Sequence, residues 1–245
     1  EGKLTRYDSN FENPDVLVKG IPSGNHQTNA VNLLPNGTLI WHSGSTCNHC
    51  NEDDSRNAAL LWVNATTGEH GILATGVRNS FDGVWVDEIG YLFTDNGQDA
   101  EGNDFPNEEV NLLVDGADYG WLVESKSDPN PDGTEAPVAT WTPHTSVNGM
   151  TTRPANMPGD KYTVYATVYG SWATILPAGH QILKIDFTQT DDGWVGDVEI
   201  FAEDVGTPLP ITGGPDGNLY YATFDHGGSV HVISPEANWW SSSSD

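Results

Sequence analysis

Positive charge is what this sequence has least of. Lys and Arg number 9 against 35 Asp and Glu, a formal net charge of −26 over 245 residues. A nucleic-acid binder needs a basic footprint to displace counterions from phosphate, so that class is excluded. An anionic membrane surface would repel the chain for the same reason. Long apolar runs are also missing: none approaches the ~18 residues that a membrane-spanning helix needs. Helix-type periodicity is nearly absent. Cysteine occurs twice and methionine twice. Residue 1 is Glu rather than Met, with no charged and apolar leader ahead of it, so the chain reads as a mature or excised piece.

What is present argues for a folded domain. Hydrophobic residues make up 36% of the chain, and 9 Trp, 8 Tyr and 7 Phe supply bulky core material. The length suits one large domain or two small ones. So large a like-charge excess repels itself unless ions screen it. Few Lys among many acids therefore points to a saline or calcium-rich surrounding, and the expected location is extracellular, cell-surface or periplasmic. Asn36-Gly-Thr38 and Asn64-Ala-Thr66 fit the glycosylation sequon, a common chance match. The Ser-rich segment at 237–245 reads as a tail or linker behind a domain over 1–236.

Strand-like runs rich in β-branched and aromatic residues recur between Asn-Gly, Asp-Gly and Gly-Gly turns. Three stretches share one grammar of strand, Gly-containing turn, and strand of Leu and aromatics: residues 31–41, 83–93 and 211–221. Gly37 and Gly90 stand 53 residues apart, and Gly90 and Gly217 stand 127 apart, so a fourth unit fits between them at 149–167. Strand repeats of this period predict an all-β chain, a β-propeller with about four blades present, as part of a larger ring or as a small closed one. The competing architecture is a β-sandwich with similar hairpins. In a propeller the segments just before the repeated hairpins gather at one end. Those segments are Gly24-Asn-His-Gln27, Gly76-Val-Arg-Asn79, Pro143-His-Thr145 and Gly206-Thr-Pro208.

Cys47-Asn-His-Cys50 holds both cysteines, and three readings compete. A disulfide closing a tight loop suits an outside compartment. A c-type haem needs His directly after the second Cys, where Asn51 stands. A zinc site needs four ligands, and His49 and His42 are the histidines at hand.

The ordered series Gly24-Asn-His-Gln27, Gly44-Ser-Thr-Cys-Asn-His-Cys50, Gly76-Val-Arg-Asn79, Thr94-Asp-Asn-Gly97, Pro106-Asn-Glu-Glu-Val110 and Tyr119-Gly-Trp121 resembles the glucose/sorbosone dehydrogenase family, and its sorbosone-dehydrogenase-like branch in particular. Pro143-His-Thr145, Tyr169-Gly-Ser-Trp172 and Gly214-Pro-Asp-Gly217 extend the match through nearly the whole chain. The resemblance implies a soluble quinoprotein, a six-bladed propeller that uses pyrroloquinoline quinone (PQQ) and calcium. It implies hydride transfer from C1 of a sugar, or from an aldehyde, to the quinone. His26 matches the general base, and an imidazole suits that task because its pKa lies near operating pH. Arg78 and Asn79 match the pair on the quinone, with His144 nearby; Arg forks onto anionic oxygens. Gly97 and Gln98 match the carbonyls that hold calcium beside the cofactor. Glu108, Glu109 and the carbonyl of Tyr119 match a second, structural calcium, an ion that takes about six to eight oxygens. The acidic run from Asp95 to Glu109 is therefore the metal candidate, and its spacing is not that of an EF-hand. The cysteine pair has a counterpart in the sorbosone branch, which implies a structural role.

Two departures keep a second reading open. Basic residues that the family carries in later blades are here Ala173-Thr-Ile175 and Gly206-Thr-Pro208. The family's region ahead of His26, roughly two blades, has no recognised counterpart. The alternatives are a non-catalytic secreted propeller, stabilised by calcium, for glycan binding or surface assembly, and a metal-dependent lactonase-like hydrolase.

Overall fold

The structure is a computed structural model, and it describes residues 1–26, 28–171, 178–224 and 227–235. The expected tail at 237–245 and residues 172–175 of the Gly-Ser-Trp region lie outside the described residues. Seventeen strands and no helix are described, so no described helix is long and apolar enough to cross a membrane.

The strands assemble into five antiparallel sheets taken in chain order. The first pairs β1 (Gly2–Arg6) with β2 (Asp15–Ile21). The second runs β3 (Thr28–Leu33), β4 (Thr38–Ser43), β5 (Ala59–Asn64), β6 (His70–Thr75). The third runs β7 (Gly83–Val86), β8 (Gly90–Asp95), β9 (Glu108–Leu112), β10 (Ala139–Trp141). The fourth runs β11 (Val147–Thr152), β12 (Thr163–Val168), β13 (Gln181–Thr190), β14 (Gly193–Ala202). The fifth pairs β15 (Pro208–Gly213), β16 (Leu219–Thr223) and β17 (Ser229–Ile233). The four repeated stretches of the sequence are the first hairpins of the last four sheets. The two-stranded sheet had no counterpart in the repeat.

Each core layer lies between successive sheets rather than within one. Val18 and Ile21 of the first sheet pack on Trp41 and Leu61 of the second. Ile40 and Leu60 meet Tyr91 and Phe93 of the third. Leu92 and Val110 meet Val147, Val164 and Leu183 of the fourth. Tyr165 and Ile182 meet Ile211 and Leu219 of the fifth. Strands apolar on both faces, such as the wholly buried β12, follow from being sandwiched in this way.

A polar link repeats with the same period. The first strand of three sheets carries a one-residue β-bulge at its entry, between Thr28 and Val31, Val147 and Met150, and Pro208 and Ile211. In the fourth and fifth sheets a carbonyl inside the bulge takes its donor from a threonine of the preceding sheet. Thr94 Oγ1 donates to Asn148 O at 3.0 Å, and Thr167 Oγ1 donates to Leu209 O at 2.7 Å. His42 holds the matching place in the second sheet and bonds Ser80 at 2.7 Å.

Candidate active site

In an antiparallel sheet, the loop entering the first strand and the loop leaving the second lie at the same end. Segments 24–26, 76–79 and 143–146 enter β3, β7 and β11, while segments 44–52 and 96–99 leave β4 and β8. Together they enclose a cavity of about 340 Å³ lined by His26, Arg78, Asn79, Asn96, Gly97, Asp99, Glu108, His144 and Ser146. Three of the four segments expected to gather thus do so. Gly206-Thr-Pro208 is not among the described lining residues; there Gly206 O bonds His180 Nδ1 at 2.8 Å.

His26 is placed by its backbone. Its N–H donates to Ser45 O at 3.1 Å, and Asn25 N–H donates to Thr46 O at 2.9 Å. That approach requires glycine at 24, because a Cβ there would sit 2.1 Å from Thr46 O. The imidazole Nδ1 lies 2.7 Å from Ser45 Oγ. Burial lowers the His26 pKa to about 4, helped by the nearby Arg78 charge and opposed by Asp99, so the ring is neutral at pH 7.

Arg78 is 4% exposed and almost fully engaged. Nε donates to Asn48 O at 3.1 Å, Nη1 to Asn96 O at 3.0 Å, and Nη2 to Asn48 Oδ1 at 2.7 Å and Asp99 Oδ2 at 3.1 Å. One of the guanidinium's five N–H groups is left over. Asn79 accepts from Asn29 at 3.2 Å through Oδ1, and its amide nitrogen has no partner among the described residues. His144 Nε2 lies 2.7 Å from Gly102 O and 3.0 Å from Phe105 O. Carbonyls only accept, so this nitrogen carries a proton.

The acidic run divides sharply. Asp99 pairs with Arg78 and Asp104 with Lys126, and Glu101 is exposed. Asp95, Glu108 and Glu109 turn inward. Asp95 accepts from the backbone N–H groups of Arg78, Asn79 and Asn96 at 2.9, 2.7 and 3.0 Å, which ties the Arg78 loop to the end of β8. Glu108 accepts from Ser146 N at 2.9 Å and Gly97 N at 3.3 Å, tying the next loop in turn. Burial pushes Asp95 and Glu108 up to about 7 against these hydrogen bonds, and Glu109 up to about 8.

A second cavity of about 10 Å³, room for one water or ion, is lined by Gly76, Arg78, Asp95, Gly97, Asn107, Glu109, Tyr119, Trp121 and Glu124. The expected metal ligands Glu109 and Tyr119 meet here, and Gly97 lines both cavities. Burial, then Glu109 and Asp95, raise the Glu124 carboxyl as well. No three of these acids bring oxygens within 4.8 Å of one another, so a cation would have to draw them together. Gln98 is 2% exposed, and its Oε1 has no hydrogen-bond partner among the described residues, as is true of Asn96 Oδ1 and Asn111 Oδ1.

Cys47 and Cys50 form a disulfide. Glu52 lies beside it, but bonded sulfurs offer no thiolate and the two Glu52 oxygens accept from Thr46 N and Oγ1, both at 2.7 Å. Sequence reasoning missed Ser45, Asn48 and Glu124. Glu124 follows Tyr119-Gly-Trp121 by three residues, a signal that spacing alone offered; Ser45 and Asn48 stand inside the Gly44–Cys50 motif, which assigned neither of them a role.

Comparison with known proteins fits this layout. No family model matches the chain. An uncharacterized protein of Borreliella burgdorferi is 26% identical over 244 residues, covering 87% of this chain and 62% of that protein. The chain therefore spans less than two thirds of this relative. Solved structures superpose more fully. A glucose dehydrogenase gives a TM-score of 0.72 at 19% identity, over 95% of this chain and 73% of that one. The PQQ domain of pyranose dehydrogenase from Coprinopsis cinerea, in its holo form, gives 0.73 at 17%, over 94% and 76%. The PQQ-bound aldose sugar dehydrogenase of Streptomyces coelicolor gives 0.69 at 19%, over 94% and 70%. The chain is thus an all-β protein of the propeller class. Its particular fold is that of the soluble sugar dehydrogenases, which is the fold the motif series implied.

Proposed function

We propose that the chain is a quinoprotein-type oxidoreductase that takes PQQ and calcium at this end of the propeller and oxidises a sugar or aldehyde. The observation that carries the reading is the convergence of His26, Arg78, Asn79 and His144, from three separate motifs, on one cavity. The fold adds support, since neighbours that share it are PQQ-bound.

The donor set suits both groups. The leftover Arg78 N–H and the Asn79 side-chain amide nitrogen, both without a partner among the described residues, are donors available to an anionic quinone. Gly97 and Gln98 would hold calcium beside it; Glu109 and Tyr119, joined by Glu124, would hold the structural ion, while Glu108, expected with them, lines the larger cavity instead; a calcium structure exists for a Trichoderma reesei neighbour. Buried carboxylates kept protonated by desolvation, together with orphaned amide oxygens, are the chemistry that a hard cation relieves. When bound, PQQ supplies a two-electron acceptor. The protein's part is to bind, orient and move a proton. His26, neutral at operating pH, accepts the substrate hydroxyl proton. Arg78, held rigidly by Asn48 and Asn96, keeps a fixed positive charge beside the reacting centre.

The test is titration of the metal-stripped protein with PQQ and calcium, followed by quinone absorbance and dye reduction with aldoses. Calcium-dependent binding at micromolar PQQ and aldose-dependent dye reduction are expected. A folded protein that leaves the quinone spectrum unchanged overturns the reading. One observation favours a second reading, a non-catalytic, secreted, calcium-stabilised propeller for glycan binding or surface assembly: Arg78 spends four N–H groups on the protein itself. Glycan binding without quinone binding would support that reading.

A further inference from the structure

The disulfide loop reaches both of the residues on which the proposed chemistry turns, Arg78 directly and His26 through Ser45. Ser45 Oγ lies 2.7 Å from His26 Nδ1 and 2.7 Å from Cys47 O. A carbonyl only accepts, and a serine hydroxyl has one proton to give. Ser45 is fully buried, so that proton has no water to turn to. Its hydroxyl therefore donates to Cys47 O and must accept from the ring. His26 then carries its proton on Nδ1 and its lone pair on Nε2.

The next residue acts on the cation. Asn48 O accepts from Arg78 Nε at 3.1 Å, and Asn48 Oδ1 accepts from Arg78 Nη2 at 2.7 Å and from Asp99 N at 2.9 Å. Asn48 Nδ2 donates to Asp99 O at 3.1 Å. Trp121, 2% exposed, backs the loop through Nε1 to Asn48 O at 3.2 Å.

We propose that the Cys47–Cys50 loop is a positioning element: through the Cys47 carbonyl and Ser45 it fixes His26 as the Nδ1–H tautomer, and through Asn48 it fixes the Arg78 fork. The consequence for rate rests on His26 acting as the base; the tautomer itself is a property of the protein alone. A cross-linked tetrapeptide suits this role because the bond between its ends limits how far either carbonyl drifts.

The test is nitrogen-15 NMR of the imidazole rings in the full chain without cofactor, with the His26 signal assigned by its loss in His26→Gln. The wild type is expected to show His26 as one tautomer, protonated at Nδ1, at neutral pH. Ser45→Ala is expected to give a mixture of both tautomers, and Cys47→Ser/Cys50→Ser to broaden the signal toward the same mixture. If PQQ-dependent turnover is present, Ser45→Ala should lower kcat about tenfold or more with KM unchanged. A wild-type ring protonated at Nε2 overturns the proposal. So does an unshifted tautomer in folded Ser45→Ala or, should that variant not fold, in the double cysteine variant. An Nδ1–H ring in a protein that does not bind PQQ would sink the functional reading and leave the positioning role standing.

Discussion

An imidazole whose pKa is lowered to about 4 stays unprotonated through the range where an ordinary histidine titrates. For the proposed base this fixes the shape of a pH profile. Only the neutral ring accepts a proton, so kcat/KM of the PQQ-loaded protein should rise with pH along a limb near 4 and be flat above about pH 5. A limb near the unperturbed ~6.5 would mean that the His26 pocket opens in solution. His42 is lowered further, to about 3, by complete burial, yet it lies outside the cavity. Its Nε2 meets Tyr91 Oη at 2.6 Å, and Tyr91 donates onward to Asn32 at 2.8 Å. A depressed histidine pKa alone therefore does not mark the base; position in the cavity does. His26 was legible in the sequence because its motif travels with it. Ser45 was not, because its role depends on a contact made across 19 residues of chain.

At the scale of elements, the repeated threonine-to-bulge bond predicts how the sheets are joined. Thr94→Val and Thr167→Val each leave a carbonyl of the next sheet without its donor at nearly constant side-chain volume. Each should destabilise the protein by about 1–3 kcal/mol in denaturant unfolding. A loss near zero would assign the joint to the apolar layers alone. The acid pocket gives a second prediction. Asp95, Glu108 and Glu109 have native pKa values above those of the unfolded chain, so the metal-free native state holds protons that the unfolded chain has already released. Its stability should therefore fall as pH rises from about 4.5 to 8, and calcium should flatten that dependence. Melting temperatures at pH 5 and pH 8, with calcium and with chelator, check both parts. The four hairpins were readable because turn residues and strand residues alternate with one period. The acid pocket was only half readable: Asp95 and Glu109 sit in the acidic run, but Glu124 reaches them from beyond Trp121, and most of the run's other acids face solvent or pair with Arg78 and Lys126.

For the whole molecule, a net charge of −26 acts as one field. Self-repulsion is screened over ~10 Å at 0.1 M salt and ~3 Å at 1 M, so the melting temperature should climb over that range. A flat response would mean that bound cations, rather than bulk ions, neutralise the chain. Few cations are spare for an anionic ligand, so the proposed PQQ binding would rest on calcium and Arg78. The central claim is that this end of the propeller oxidises a sugar with His26 as base. Its most direct test is a single turnover: protein loaded with PQQ and calcium, mixed with excess aldose, with the quinone absorbance followed in time beside His26→Ala. The account predicts rapid bleaching in the wild type and a rate lowered by about a hundredfold or more in the variant at unchanged PQQ binding. Bleaching at the same rate in both proteins would contradict it.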